Sequence, residues 1–109
     1  MLAGPQRSES EAQLLRRQAG RWLKQKREER NLSQRQLADL LSLDYYTFIS
    51  QLETGRGRIP PERYVDWARS LGMKPRDFVY VLIRYYDPIT FSILFPDAEA
   101  VDLKFRENA

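Results

Sequence analysis

Residues 32–55 hold two helix signals in close succession, and this arrangement restricts the fold more than any other feature of the chain. Ser33 and Gln36 have the spacing of a capping box, in which each side chain bonds the backbone amide of the other residue. Leu32 and Leu37 lie at the positions of a hydrophobic staple, which directs the chain into a helix. These residues therefore predict a short helix that begins directly after Ser33.

A second helix signal follows a turn at Ser42 and Leu43. Asp44 has a side chain suited to an N-cap, and Gly55 suits the position just past a helix end, where a positive φ is common. We therefore expect a second helix over about residues 44–54. Two short helices joined by a tight turn form a helix-turn-helix unit.

Helical signals also lie on both sides of this two-helix unit. Ser10 and Gln13 have the spacing of another capping box, and apolar residues then recur at helical spacing toward Asn31. Further along, Pro61 and Pro75 suit the first turns of two more helices. The chain is therefore predicted to be all-α, with five helices in one compact domain.

The predicted domain covers residues 10–86 and leaves a segment at each end. Residues 1–9 hold little to bury and are expected to form a disordered lead. Residues 87–109 are expected to form a C-terminal extension and tail, and their apolar part, 89–95, suits either a short sixth helix or a strand.

Aromatic residues in and before this extension exceed what the core of the domain needs. A homodimer seam is the leading interpretation, and packing of the extension onto its own domain is the alternative. The residues predicted for the seam are Tyr85, Tyr86, Phe91, Leu94 and Phe95.

The composition excludes several classes of site. The chain has 0 Cys and 0 His, which removes thiol nucleophiles, disulfides, imidazole metal sites and the usual general base. We therefore expect no enzyme activity, no cofactor and no metal. No apolar run approaches the roughly 20 residues that cross a bilayer, and the first residues lack a signal-peptide pattern, so we expect a cytoplasmic protein without a membrane partner.

Positive charge is concentrated in the first half of the chain. Residues 16–58 hold ten Lys or Arg against five Asp or Glu, whereas residues 59–109 hold seven against eight. The basic half is the candidate surface for a polyanion such as nucleic acid.

Residues in and around the two-helix unit occur in an order that specifies a family. They are Leu23, Arg27, Leu32, Ser33, Gln34, Leu37, Ala38, Leu41, Ile49, Ser50, Gln51, Leu52, Glu53, Gly55, Pro60, Trp67, Ala68, Leu71 and Gly72. Over roughly residues 18–74 the chain resembles the phage repressor and Cro-type helix-turn-helix proteins, the Xre family. Two departures are that Ser42 stands where the family usually has glycine, and that one extra residue lies between this turn and Ile49.

The resemblance implies a lambda-repressor-like fold and a transcription regulator that binds double-stranded DNA. Such a protein would be found at the nucleoid when it is bound to DNA. The second helix of the unit would lie in the major groove, where base edges are distinguishable. Tyr45 is expected to be half-buried with the apolar stripe of that helix. The residues predicted to contact bases are Tyr46, Thr47, Ser50 and Gln51, and Gln51 is the best candidate because its amide can bond adenine bidentately.

Phosphate contacts are predicted at two places. The resemblance implies that Gln34 contacts the DNA backbone, and Arg35 stands beside it. Arg56 and Arg58 lie in a loop whose glycines permit close approach of the backbone.

The resemblance also implies a structural ion pair and a set of partners. Arg27 would pair with Glu53 and fix the orientation of the helices. A homodimer would read a palindromic operator. The alternative is an antitoxin-like module that neutralises a protein partner through the C-terminal aromatic surface and regulates its own promoter.

Overall fold

The computed structural model describes residues 9–98, and all regular structure in that range is helical. The elements are α1 (Glu11–Glu29), α2 (Gln34–Leu40), α3 (Thr47–Glu53), a 3-10 turn (Pro61–Arg63), α4 (Tyr64–Ser70), α5 (Pro75–Tyr86) and α6 (Pro88–Leu94). The all-α prediction is confirmed, and the segment left open between helix and strand is the helix α6. Of the predicted lead, residues 1–9, and the predicted extension and tail, residues 87–109, the parts 1–8 and 99–109 lie outside the described residues. No helix in the described range is both long and apolar enough to cross a bilayer.

Both predicted capping boxes form. The Ser10 hydroxyl accepts from the Gln13 amide at 3.1 Å, and the Gln13 side chain accepts from the Ser10 amide at 3.0 Å. At the start of α2, the Ser33 hydroxyl accepts from the Gln36 amide at 3.0 Å, and the Gln36 side chain accepts from the Ser33 amide at 2.8 Å. Each box satisfies backbone donors that a helix start otherwise leaves unpaired.

The second helix of the unit begins later than predicted. α3 starts at Thr47, and its N-cap residue Tyr46 makes no side-chain capping bond. The predicted cap at Asp44 is therefore wrong, and Asp44 lies in the connection between α2 and α3. Ser42 has φ 56°, so the turn keeps the left-handed conformation that glycine usually supplies. The connection is longer than expected, and it takes up the extra residue.

The core lies where α1 and α5 meet the shorter helices. α1 packs against α3 and α5, α2 packs against α3, and α5 also packs against α4 and α6. The rings of Trp22 on α1 and Phe78 on α5 lie 5.6 Å apart between centroids. The largest fully buried side chains are Trp67, Phe78, Leu23, Leu37, Ile49, Leu52, Ile59 and Leu82. Burial of these apolar surfaces is the main force that holds α3 onto the rest of the domain.

α1 and α3 approach most closely at Gly20. A Cβ atom at this position would lie 2.5 Å from the carbonyl oxygen of Leu52 and would also collide with that of Glu53. Only a residue without a side chain fits there. Gly20 therefore allows the end of α3 to rest directly on the backbone of α1.

α6 folds back onto its own domain. Tyr85 and Tyr86 at the end of α5 are 4% and 9% exposed, and Phe91 of α6 is 6% exposed. Phe91 and Phe95 lie with the Tyr80 ring at centroid distances of 5.1 and 5.0 Å. For Tyr85, Tyr86 and Phe91, the structure therefore has the intramolecular packing that was the alternative to a dimer seam.

The outer side of α6 differs from this packed side. Ile89, Ile93 and Leu94 are 74%, 72% and 59% exposed. Of the residues predicted for a seam, Leu94 alone is exposed, and Phe95 is half-buried. The apolar surface that remains for a partner is the outer face of α6, defined by Ile89, Ile93 and Leu94.

Candidate nucleic-acid interface

α3 presents one apolar and one polar side. Ile49 and Leu52 are buried against the domain, and Phe48 packs against the same core. Thr47 and Gln51, four residues apart and therefore on one helical face, are exposed. Their side chains are free to meet base edges if this face enters a groove.

The other two predicted base contacts lie at the margins of that face. Ser50 is half-buried, whereas Tyr46 is 41% exposed directly before α3. The Arg35 guanidinium carbon lies 4.9 Å from the centroid of the Tyr46 ring, an arrangement that holds both side chains in place. Arg35 and Tyr46 therefore form one surface that joins the start of α2 to the start of α3.

A buried ion pair fixes the other end of α3. Arg27 Nε donates to Glu53 Oε2 at 2.7 Å and Arg27 Nη2 donates to Glu53 Oε1 at 3.0 Å, while each residue is 7% exposed. Arg27 Nη1 also donates to the carbonyl oxygen of Leu32 at 2.8 Å. The hydrogen bond to Glu53 raises the pKa of the Arg27 guanidinium, which stays charged. The pair thus ties α1 both to α3 and to the entry of α2.

Gln34 joins the same network. Its Nε2 donates to Glu53 Oε1 at 3.0 Å, so the carboxylate accepts from both Arg27 and Gln34. Gln34 is half-buried and lines a shallow cavity of about 300 Å³ together with Arg27, Ser33, Arg35 and Tyr46. The residue implied to touch the DNA backbone is therefore positioned by the last residue of α3.

The loop after α3 carries the second pair of predicted phosphate contacts. Arg56 and Arg58 are both exposed, and the preceding Gly55 has φ 83°. The Arg58 guanidinium carbon lies 4.9 Å from the centroid of the Tyr86 ring. Within residues 9–98, Arg56 takes part in no ion pair with a carboxylate.

Tyr86 of α5 holds this loop in place through a hydrogen bond. Its hydroxyl accepts a hydrogen bond from the Ile59 amide at 3.2 Å, and burial raises the pKa of Tyr86 to about 12. The phenol therefore stays neutral at any ordinary pH. The loop is fixed to α5 at Ile59, directly after the exposed Arg58.

Sequence reasoning missed three features of this surface. Tyr45 is 75% exposed, so the expectation that it is half-buried is wrong. The bond from Gln34 to Glu53 joins residues 19 positions apart, and the contact of Arg35 with the Tyr46 ring joins residues 11 positions apart. No local pattern indicates either contact. The described residues contain no group of acidic side chains that could hold a metal ion.

The family assignment follows from the same segment of the chain. A helix-turn-helix family model matches residues 23–78, just over half of the 109-residue chain. The match begins within α1, includes all of α2, α3 and α4, and ends within α5. No curated protein sequence matches the chain. The protein belongs to the helix-turn-helix family, that of the Cro/C1-type, Xre-like DNA-binding proteins, as its sequence resemblance predicts.

Proposed function

We propose that this DNA-binding protein is a sequence-specific transcription regulator that reads double-stranded DNA with the exposed face of α3. The observation that carries the proposal is the side of α3 that holds Thr47 and Gln51, which is polar and exposed while the opposite side is buried. The major groove admits a helix and presents a distinct donor and acceptor pattern for each base pair.

Phosphate contacts on either side of α3 would set its position in the groove. Gln34 and Arg35 stand at the start of α2, and Arg56 and Arg58 follow α3 in the loop. Contacts of this kind fix the register of the protein on DNA without reading sequence. Arginine suits the role because its planar fork matches phosphate geometry.

A homodimer would bring two copies of α3 to one palindromic site. This proposal assigns the contact to the outer face of α6, because three large apolar side chains are exposed together on one short helix, and grouped apolar residues in water often mark a partner surface. In a two-fold dimer the same patch meets its own copy.

Selection of binding sites from a random duplex library tests this function. The expected product is a short two-fold symmetric sequence, with half-sites about one helical turn, roughly 34 Å, apart. Footprinting should then show protection of both half-sites. Retention of all sequences with equal affinity would contradict a sequence-specific regulator.

Removal of the Gln51 amide should weaken specific binding. Gln51→Ala is expected to cost about 1–3 kcal/mol per half-site of the selected site and to relax the preference at one base position in each half-site. Binding to random duplex should change little, because phosphate contacts dominate it. Fluorescence anisotropy on both duplexes measures the difference, and equal losses on the two would argue against base reading.

Removal of the Arg56 charge should weaken binding to every sequence alike. We expect Arg56→Gln to reduce the slope of log K against log salt by about 0.9 for each protomer that loses a phosphate contact, and so by about 1.8 for the proposed homodimer. Arg69→Gln is the matched control, since Arg69 is also exposed but lies on α4. A salt titration that gives Arg56→Gln the wild-type slope would remove Arg56 from the interface.

A charge on the outer face of α6 should prevent self-association. Ile93→Asp is expected to stay helical by circular dichroism, to sediment as a monomer, and to lose more affinity for the full palindrome than for a half-site. Val65→Asp is the control, because Val65 is a 43% exposed apolar residue on α4. A wild-type protein that is monomeric at micromolar concentration would contradict the homodimer and leave this face to a different protein partner.

A further inference from the structure

We propose that Tyr45 reads a thymine, by packing its ring against the methyl group of that base in the major groove. The inference rests on the proposed function, and it adds a specificity-determining residue in the connection that precedes α3.

The exposure of Tyr45 is the first observation. At 75% it is the most exposed large hydrophobic side chain in the described part of the chain. Burial of an aromatic ring is favourable by on the order of 25 cal/mol per Å² of apolar surface, and a ring exposed to water lacks this stabilisation. The ring gains that free energy when it meets an apolar group on a partner.

The fixed position of the surrounding chain is the second observation. On one side, the Leu43 amide donates to the Ala38 carbonyl oxygen at 2.9 Å. On the other, the Tyr46 carbonyl oxygen accepts from the Ile49 amide at 2.9 Å, and the Tyr46 ring lies under Arg35. Tyr45 thus lies between anchored neighbours, which restrict the position of its backbone.

The distance to the reading face is the third observation. Tyr45 precedes Thr47 by two residues, so their Cα atoms are at most about 7 Å apart. The first residues of a recognition helix are the ones that reach base edges. The Tyr45 backbone therefore lies close to that end of α3.

The chemical groups in the major groove indicate which base the Tyr45 ring would contact. The thymine methyl is the apolar group that a base edge presents in the major groove, where the other edges present donors and acceptors. The apolar face of an aromatic ring cannot satisfy those donors and acceptors. A contact of this kind distinguishes thymine from cytosine at one position.

Removal of a single methyl group gives the sharpest test. On the selected site, each thymine is replaced in turn by uracil, which lacks only the methyl. Wild type should lose about 4-fold in affinity at one position of each half-site, the value for one buried methyl. Tyr45→Ala removes the contact from both half-sites and should bind the thymine site about 16-fold more weakly, and at the same positions it should not distinguish thymine from uracil.

Two further variants test whether the aromatic ring itself makes the contact. Tyr45→Phe keeps the ring and should keep both the affinity and the uracil effect. Leu40→Ala removes a different apolar side chain, which is 56% exposed on α2, and should leave binding unchanged.

Three outcomes would overturn the inference while the proposed function stands. One is a uracil effect that is the same in Tyr45→Ala and wild type at every position. Another is a loss in Tyr45→Phe as large as in Tyr45→Ala, which assigns the contact to the hydroxyl. The third is an equal loss for Tyr45→Ala on selected and random duplex, which assigns the ring to the DNA backbone. If wild type selects no sequence at all, the proposed function itself fails.

Discussion

Glu53→Ala is expected to lower the free energy of unfolding by about 3–5 kcal/mol, the range measured when one partner of a buried ion pair is removed. The variant leaves the Arg27 guanidinium, in a residue only 7% exposed, with the Leu32 carbonyl oxygen as an acceptor but without its carboxylate. Gln34 loses its hydrogen-bond acceptor as well. Since small domains are stable by only about 5–15 kcal/mol, urea denaturation should show a large drop in the midpoint.

Two control variants separate charge from packing in this experiment. Glu29→Ala removes the exposed pair with Lys26, which has an N–O distance of 3.4 Å, and should cost less than about 1 kcal/mol. The double variant Arg27→Met with Glu53→Leu removes both charges and should recover most of the loss, because apolar replacements of a buried pair are often neutral. Equal midpoints for Glu53→Ala and Glu29→Ala would contradict a buried structural pair.

Gly20→Ala is expected to destabilise the protein by about 3 kcal/mol through overpacking of the contact between α1 and α3. Alanine favours a helix by about 1 kcal/mol over glycine, so helix propensity alone predicts the opposite sign. The added methyl group would lie 2.5 Å from the Leu52 carbonyl oxygen. That oxygen belongs to the backbone of a packed helix, so it cannot turn away as a flexible side chain would. The thermal midpoint, followed by circular dichroism, measures the change.

Gly57 provides the matched control for this substitution. A Cβ atom at Gly57 would have its nearest neighbour at 3.6 Å, the Leu52 Cδ2 atom, which is an ordinary contact distance. Gly57→Ala should therefore keep a thermal midpoint close to that of wild type. If Gly20→Ala also keeps it, the close approach of α1 and α3 does not need glycine.

The sequence predicts those parts of the fold whose cause is local. Ser10 and Ser33 each cap a helix with a partner three residues away, and both starts were predictable because the whole signal lies within four residues. The apolar periodicity likewise predicts which faces of the helices are buried.

The start of α3 was not predictable, because a capping side chain is only one of the factors that determine where a helix begins. Asp44 is suited to a cap, yet the turn at Ser42, with φ 56°, and the burial of Ile49 place the first helical residue at Thr47. The expected half-burial of Tyr45 was wrong for the same reason. Tyr45 belongs to the connection and not to the apolar stripe of a helix.

The other features that the sequence did not predict depend on contacts between residues far apart in the chain. An aromatic-rich segment packs equally well onto its own domain or onto a second copy, and composition does not distinguish the two. The structure buries Phe91 with Tyr80 and leaves Ile93 outside. The bond between Gln34 and Glu53 spans 19 residues, and no spacing rule connects them.

The rigid attachment of α3 determines which component, protein or DNA, deforms when a DNA site does not match the shape of the interface. Glu53 is bonded to α1 and α2 at once, and Gly20 brings a second part of α1 against the same end of the helix. A helix clamped in this way cannot tilt to follow a displaced base pair without breaking buried contacts that are worth several kcal/mol. Bending or twisting a short duplex costs a similar amount, on the order of a few kcal/mol, and that cost depends on sequence. In the proposed complex the two costs are comparable, so the duplex takes up part of any mismatch, and the stiffness of base pairs that the protein does not touch would contribute to the choice of site.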